Sequence, residues 1–301
     1  MQIRLTPTPV STAVAAPTPV QSTPIPQIQP TAALPCTAAW CIVPGHFYLS
    51  LPIAPPNKTI PESSYLFGSD EDGTRPPHHG VEFVNPGGTP ILAAGDGTVE
   101  YAGMDHRVIF AEQPDIYGNL VIIRHKITLN GEALFSLYGH MSKILVSTGD
   151  VVKQGQKIGE VGKTGAALGD HLHFEVRVGQ NDYAHSTNPL LWLPLNQNST
   201  GQVDGIIVGT ITDMEGRLRY FPNIRILPQD QPPSSASPVY NPRSYADSSI
   251  PGDPVWNEVF IQTDLPAGSY SVTLTHHNKP QTIQVQVRAG LVTTVHFTTE
   301  D

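Results

Sequence analysis

From about residue 80 onward the chain is written in short runs that alternate apolar and polar residues with a period of two, the signature of half-buried strands. Three such runs, 89–101, 119–125 and 133–140, are separated by Gly-Asp and Tyr-Gly turn signals. The stretch STGDVVKQGQKIGEVGKTG, residues 147–165, sets Val/Ile pieces between regularly spaced glycines, which predicts hairpins at the corners of a compact barrel or sandwich. HLHFEVRV, residues 171–178, alternates strictly. His171, His173, Glu175 and Arg177 fall on one face, and Leu172, Phe174, Val176 and Val178 on the other, so one face is expected to be core and the other to carry two histidines. NPLLWLPL, residues 188–195, supplies apolar residues to close this first core, and NQNSTGQ after it reads as a linker. A second unit follows. Its runs GIIVGTITDMEGRLRYFPNIRIL, GSYSVTLT, QTIQVQVRA and LVTTVHFTT predict a β-sandwich of about a hundred residues. The expected fold class is therefore all-β: an antiparallel, barrel-like sheet core followed by a small β-sandwich. The expected organisation is a stalk over 1–41, a first domain over 42–195, a linker over 196–204 and the sandwich over 205–301.

Composition adds limits to this picture. Thirty prolines and 26 glycines among 301 residues, with 14% charged, favour short strands and tight turns over long helices. A net charge of -9 with no Lys/Arg cluster argues against a nucleic-acid partner. No apolar run approaches the roughly 20 residues of a membrane helix, and no shorter signal-peptide core is visible, so export would need a signal not seen in this chain. Residues 1–35 are nearly all Pro, Thr, Ala, Val, Gln and Ser, with Arg4 the only charge. Such a segment buries too little surface to offset its ordering entropy, and a disordered, partly extended linker or stalk is expected. Cys36 and Cys41 are the only two cysteines. They are equally suited to a small disulfide loop or to two free thiols, and do not make a metal site, because no other cysteine completes one.

The candidate chemistry lies in histidines. HHGVEF, residues 78–83, places His78 and Glu82 four apart, too far for two ligands on a straight strand, but Gly80 between them permits a bend toward one ion. With His173 they complete the three protein ligands of a catalytic zinc, which keeps a further position open. His171, and His140 in LYGHMS, are then left as uncoordinated imidazoles beside it, able to accept a proton and to stabilise developing charge. Nothing in the pattern asks for a small organic cofactor.

HHGVEF, GTPILAAGDGTVEYAG, YGNLVIIRH, YGHMS, GDVVKQGQKIGEVGKTG and GDHLHFEVR occur in the order seen in the lysostaphin/LytM-type zinc endopeptidases, and residues 75–180 resemble that family. The resemblance implies an open groove in a small antiparallel β core. It also implies zinc held by His78, Glu82 and His173 with His140 and His171 catalytic, and hydrolysis of the peptide part of bacterial peptidoglycan outside the cytoplasm. His79 falls on a variable position of the motif. The family's acid is normally Asp; Glu82 adds a methylene, which leaves a second reading, a zinc-binding but non-hydrolytic wall-binding or hydrolase-activating module. The glycine-spaced 149–162 run is also similar to biotinyl and lipoyl carrier hairpins, but Lys153 and Lys157 do not sit in a carrier's turn.

The remaining histidines read as structural. His46, His106, His185 and His296 are isolated, His276 and His277 lie in a predicted hairpin turn, and His125 ends a strand near the site elements. DLPAGSYSVTL and VGTITDMEG resemble the transthyretin-like, carboxypeptidase-regulatory type of sandwich. The Pro/Ser-rich stretch 228–254 is too long for an ordinary connection and is expected to be a mobile loop or an interaction surface.

Overall fold

The structure, a computed structural model, describes residues 34–197, 201–230 and 238–300. The expected stalk, up to residue 33, lies outside the described residues, as do residues 198–200 of the expected linker. In chain order the strands are β1 (Trp40–Pro44), β2 (Val81–Phe83), β3 (Pro90–Leu92), β4 (Gly97–Met104), β5 (Asn119–Leu129) and β6 (Glu132–Gly139). They continue with β7 (Lys143–Ile144), β8 (Val151–Val152), β9 (Lys157–Glu160), β10 (Leu172–Val178) and β11 (Ser186–Thr187). The last six are β12 (Gly205–Asp213), β13 (Ile224–Pro228), β14 (Phe260–Leu265), β15 (Gly268–His276), β16 (Lys279–Val287) and β17 (Leu291–Thr299). Two single-turn 3₁₀ helices, Tyr183–His185 and Pro189–Leu191, are the helical elements among the described residues, and none is long and apolar enough to cross a membrane.

The chain is all-β, with open sheets rather than a closed barrel. The central sheet runs β11-β10-β6-β5-β4-β8, with β2 also paired to β10, and the small sheet β3-β9-β7 accompanies it. Its key hairpin is set by two residues: Leu129 pairs with Glu132 across Asn130-Gly131, both at positive φ. That is the type I′ geometry whose twist matches the flanking strands. Alternation along β5 then sends Val121 and Ile123 to the main core and Leu120 and Ile122 to a second cluster with Phe110, Tyr117, Phe135 and Leu137. The sheet is thus covered on both faces, and every residue of β10 is buried. The histidine-bearing face of β10 is covered by the segment before β5, whose Phe110 and Tyr117 contact Arg177 and Glu175.

The second half packs the sheet β1-β17-β12-β14 against β13-β15-β16, with Ile207, Ile211 and Phe297 meeting Ile226, Val272 and Leu274 in one core. β12 and β17 run parallel, from Ile206 opposite Val292 to Asp213 opposite Thr299. β1 is the other neighbour of β17, so a boundary at 41/42 cuts through a strand of this sheet. The stalk composition hides that strand, because WCIVP is a brief apolar run directly after the Pro/Thr-rich stretch. Cys36 and Cys41 form a disulfide at its start, the first of the two alternatives. The two halves share a core: Ile206, Val208 and Val292 pack in the same cluster as Leu49, Leu191 and Trp192. Of the stretch expected to be a mobile loop or an interaction surface, residues 231–237 lie outside the described residues, and in 238–254 Tyr240 is bridged to Ile226 while Tyr245, Ile250 and Asp253 are buried.

A buried polar cluster joins the halves. His46, stacked between Trp192 and Trp256, contacts Asp253 at 2.9 Å, and Asp253 N–H donates to Glu258 Oε2 at 2.8 Å. Tyr245 O–H donates to Glu258 Oε1 at 2.7 Å. Burial, reinforced by the Asp253 charge, pushes the Glu258 carboxyl up from 4.5 to about 8. The folded chain therefore keeps this proton where the unfolded chain has released it, and stability falls as pH rises through the interval from the unfolded to the folded value. The expected slope is about 1.4 kcal/mol per pH unit for one group. Thermal unfolding between pH 5 and 8 reads it, and Glu258→Gln should flatten the profile; an unchanged slope would contradict the assignment.

Candidate metal centre

Each side chain of the centre is placed by a different local device. His78 ends the loop that leads into β2, with its N–H donating to Ser69 O at 3.0 Å and its carbonyl accepting from Gly68 N–H at 2.7 Å. Its ring stacks on Tyr65 at 4.1 Å, and Nδ1–H donates to Tyr65 O at 2.8 Å, which turns Nε2 toward β10. Glu82, in the middle of β2, pairs directly with His173 of β10. His140 follows β6 with φ of +60°, in the left-handed region that non-glycine residues seldom occupy. It is held there by its N–H to Tyr117 O at 2.8 Å and its Nδ1–H to Thr164 O at 2.8 Å. His171 Nδ1–H donates to Gly169 O at 2.9 Å.

The chain bends at His79 and Gly80 as expected, and Gly80 plays a second part. It does not have positive φ, but a Cβ there would lie 2.6 Å from Phe174 O and 2.8 Å from the His173 ring. Glycine is needed to let that ring pass.

The structure brings all five candidates together. His78 Nε2 lies 3.1 Å from His173 Nδ1, and Glu82 Oε1 lies 3.4 Å from the first and 3.7 Å from the second. A tetrahedral ion about 2.1 Å from each donor separates neighbouring donors by about 3.4 Å, so these three atoms fit one. The other carboxylate oxygen, Oε2, is 2.8 Å from His171 Nε2. Glu82 thus has one oxygen among the donors and the other on His171. The rings of His140 and His171 are 4.6 Å apart and His140 stands 5.7 Å from His173.

Charge in the cluster follows burial and neighbours. Burial holds His78 below its ordinary value. Burial, then the His173 and His171 charges, push His140 down to about 3. Burial opposes charge on His173 too, but the Glu175 and Glu82 carboxylates outweigh it and raise the ring to about 9. Burial likewise opposes ionisation of Glu82, yet contacts from His171, His173 and His78 hold its carboxyl far below the usual range.

Beneath the donors lies a set to which the sequence reading gave no role. His173 Nε2–H donates to Glu175 Oε1 at 3.0 Å. Glu175 also accepts from the Tyr117 hydroxyl, and from Arg177 Nε at 2.8 Å. Arg177, fully buried, donates further to Phe110 O and the Tyr117 oxygen. The pattern had already placed Glu175 and Arg177 on the histidine face of β10, a recoverable signal; Tyr117 carried none. His79 instead turns away, stacked on Tyr183 at 3.6 Å and bonded to Ser186 Oγ at 2.8 Å. His125 belongs to a separate chain, 2.8 Å from Ser136 Oγ, whose hydroxyl donates to Tyr138. His277 is exposed, whereas His276 is half-buried against Phe221.

Two imidazoles and a carboxylate around one point, with two more imidazoles facing it, form a donor set that could hold one metal ion, of the composition found in hydrolytic sites. Residues 76–187 match the description Peptidase family M23 and form a domain of that family. Peptidoglycan DD-endopeptidase ShyC of Vibrio cholerae is 38% identical over 144 residues, 48% of this chain and 29% of that protein. Peptidoglycan DD-endopeptidase ShyA of the same organism is 39% identical over 102 residues, 34% of this chain and 20% of that protein. The chain therefore spans less than a third of either relative. Among solved structures, the catalytic domain of the antimicrobial peptidase lysostaphin from Staphylococcus simulans is 29% identical, with 44% of this chain and 86% of that domain covered and a TM-score of 0.34.

Proposed function

We propose that this chain is a zinc endopeptidase that hydrolyses peptide bonds of bacterial peptidoglycan outside the cytoplasm. The observation that carries the reading is the convergence of His78, Glu82 and His173 on one point faced by His140 and His171. The names of the two Vibrio cholerae relatives support the substrate, and the Cys36–Cys41 disulfide suits an oxidising compartment.

His78 Nε2, Glu82 Oε1 and His173 Nδ1 would hold the ion. Zinc bound there supplies a Lewis acid that polarises a carbonyl and brings the pKa of water down to about 7. The chain's own groups do the rest. His140 gives its Nδ1–H to Thr164 O and is kept neutral by burial, so the lone pair of Nε2 is free to take a proton from the attacking water. His171 faces oxygen acceptors at both ring nitrogens, Gly169 O and Glu82 Oε2, which suits the group that delivers a proton to the leaving amine. Glu175 fixes the tautomer of His173 by accepting at Nε2, so that Nδ1 is the donor atom.

Incubation with purified sacculi tests the proposal. Mass spectrometry should find cross-linked muropeptides converted to shorter peptides with new amino termini and intact glycan, and a chelator should stop the reaction. Intact cross-links, or cleavage that survives complete metal removal, would contradict it. Glu175→Gln should weaken zinc binding by about 10- to 100-fold in a competition titration with a chromophoric chelator. It should also lower the melting temperature, because Arg177 loses its buried countercharge.

A further inference from the structure

The loop that carries His78 is fastened at its far side by the C-terminal half. Ala246 N–H donates to Gly68 O at 2.8 Å, and Gly68 N–H in turn donates to His78 O at 2.7 Å, so three segments run as a ladder from the sandwich half to the metal ligand. Tyr245 lies on this ladder. Its ring meets Phe67 edge-on at 5.2 Å and covers Gly68 so closely that a Cβ there would come within 2.2 Å of Tyr245 Cδ1. Gly68 has φ of +79°, so the tight seat depends on glycine in two ways. The ring is itself pinned from both halves, by its O–H to Glu258 and by Asn188 Nδ2–H donating to its oxygen at 3.1 Å. A cleft of about 750 Å³ lies between the 63–73 loop and the C-terminal half, lined by Tyr245 and Ala246 as well as by Arg243, Ile261 and Gln262, so apart from the Tyr245 seat the loop has little packed chain against it there. Arg243 pairs with Asp72 at the rim.

We infer that Tyr245 is a positioning residue for the metal centre: the C-terminal half braces the loop that presents His78, and the sandwich is a structural part of the site rather than a separately hung module. The inference rests on the reading of His78 as a ligand.

The test uses the full chain as wild type, Tyr245→Ala and Tyr245→Phe, stripped of metal and titrated with zinc against a chromophoric chelator, then with cobalt(II) to saturation. Tyr245→Ala should bind zinc at least tenfold more weakly, and its saturated cobalt spectrum should differ from wild type because one imidazole is out of place. Tyr245→Phe keeps the ring on Gly68 and should restore both. A Tyr245→Ala chain with wild-type affinity, or with weaker affinity but a wild-type spectrum at saturation, would overturn the brace and leave the centre standing. A wild-type chain that binds no metal would overturn the centre and the brace with it. Should Tyr245→Ala fail to fold, Ala246→Pro, which keeps the ring and removes the N–H to Gly68, carries the same outcomes.

Discussion

His171→Ala should keep one zinc per chain and lose about 10²- to 10⁴-fold in the rate of peptidoglycan cleavage. The reason is spatial. His171 is not among the three mutually close donor atoms; its Nε2 stands against the outer oxygen of Glu82, and its Nδ1 is committed to Gly169 O. Removing it leaves His78, Glu82 and His173 in place and takes away the group set to protonate the leaving amine. Metal analysis and a cleavage rate on the same preparation read both halves of this expectation. Full-rate cleavage would remove His171 from the chemistry, and loss of the metal would make it a ligand.

His173→Ala should lose metal and cleavage together. His173 contributes one of the three donors, and two remaining ligands on a short strand and a loop hold zinc weakly. The fold should survive, because Glu175 keeps the Tyr117 hydroxyl and the Arg177 guanidinium as partners after the imidazole is gone. Unchanged circular dichroism beside a metal-free, inactive chain is the expected result. A metal-replete His173→Ala chain would show that the ion sits elsewhere.

Much of this was legible in the sequence, for physical reasons that differ by residue. The period of two in 171–178 put His171 and His173 on one face, and strand geometry allows little else. The ligand atoms follow less directly: a four-residue spacing with a glycine between says only that His78 and Glu82 could meet round a bend, and not that Gly80 also makes room for the His173 ring. Glu175 and Arg177 were visible on that face and assigned no task, since alternation places a charged pair on a face without saying what covers it. Their significance comes from burial by the 105–118 segment, a tertiary event. Tyr117 and Tyr245 were not legible at all, because they reach the site from 56 and 72 positions away from His173 through contacts that no local pattern encodes. The same holds for β1, whose place beside β17 crosses nearly the whole chain.

The central claim is that one zinc at His78, Glu82 and His173 is what makes the chain cut peptidoglycan. The most direct test is to titrate metal-free protein with zinc while following bound metal and the release of new amino groups from sacculi in the same samples. Cleavage rising in proportion to bound zinc and levelling off at one per chain is the expected result. Zinc bound to one per chain with no amino groups released would contradict it, and would make Glu82, where the family carries Asp, the mark of a wall-binding relative.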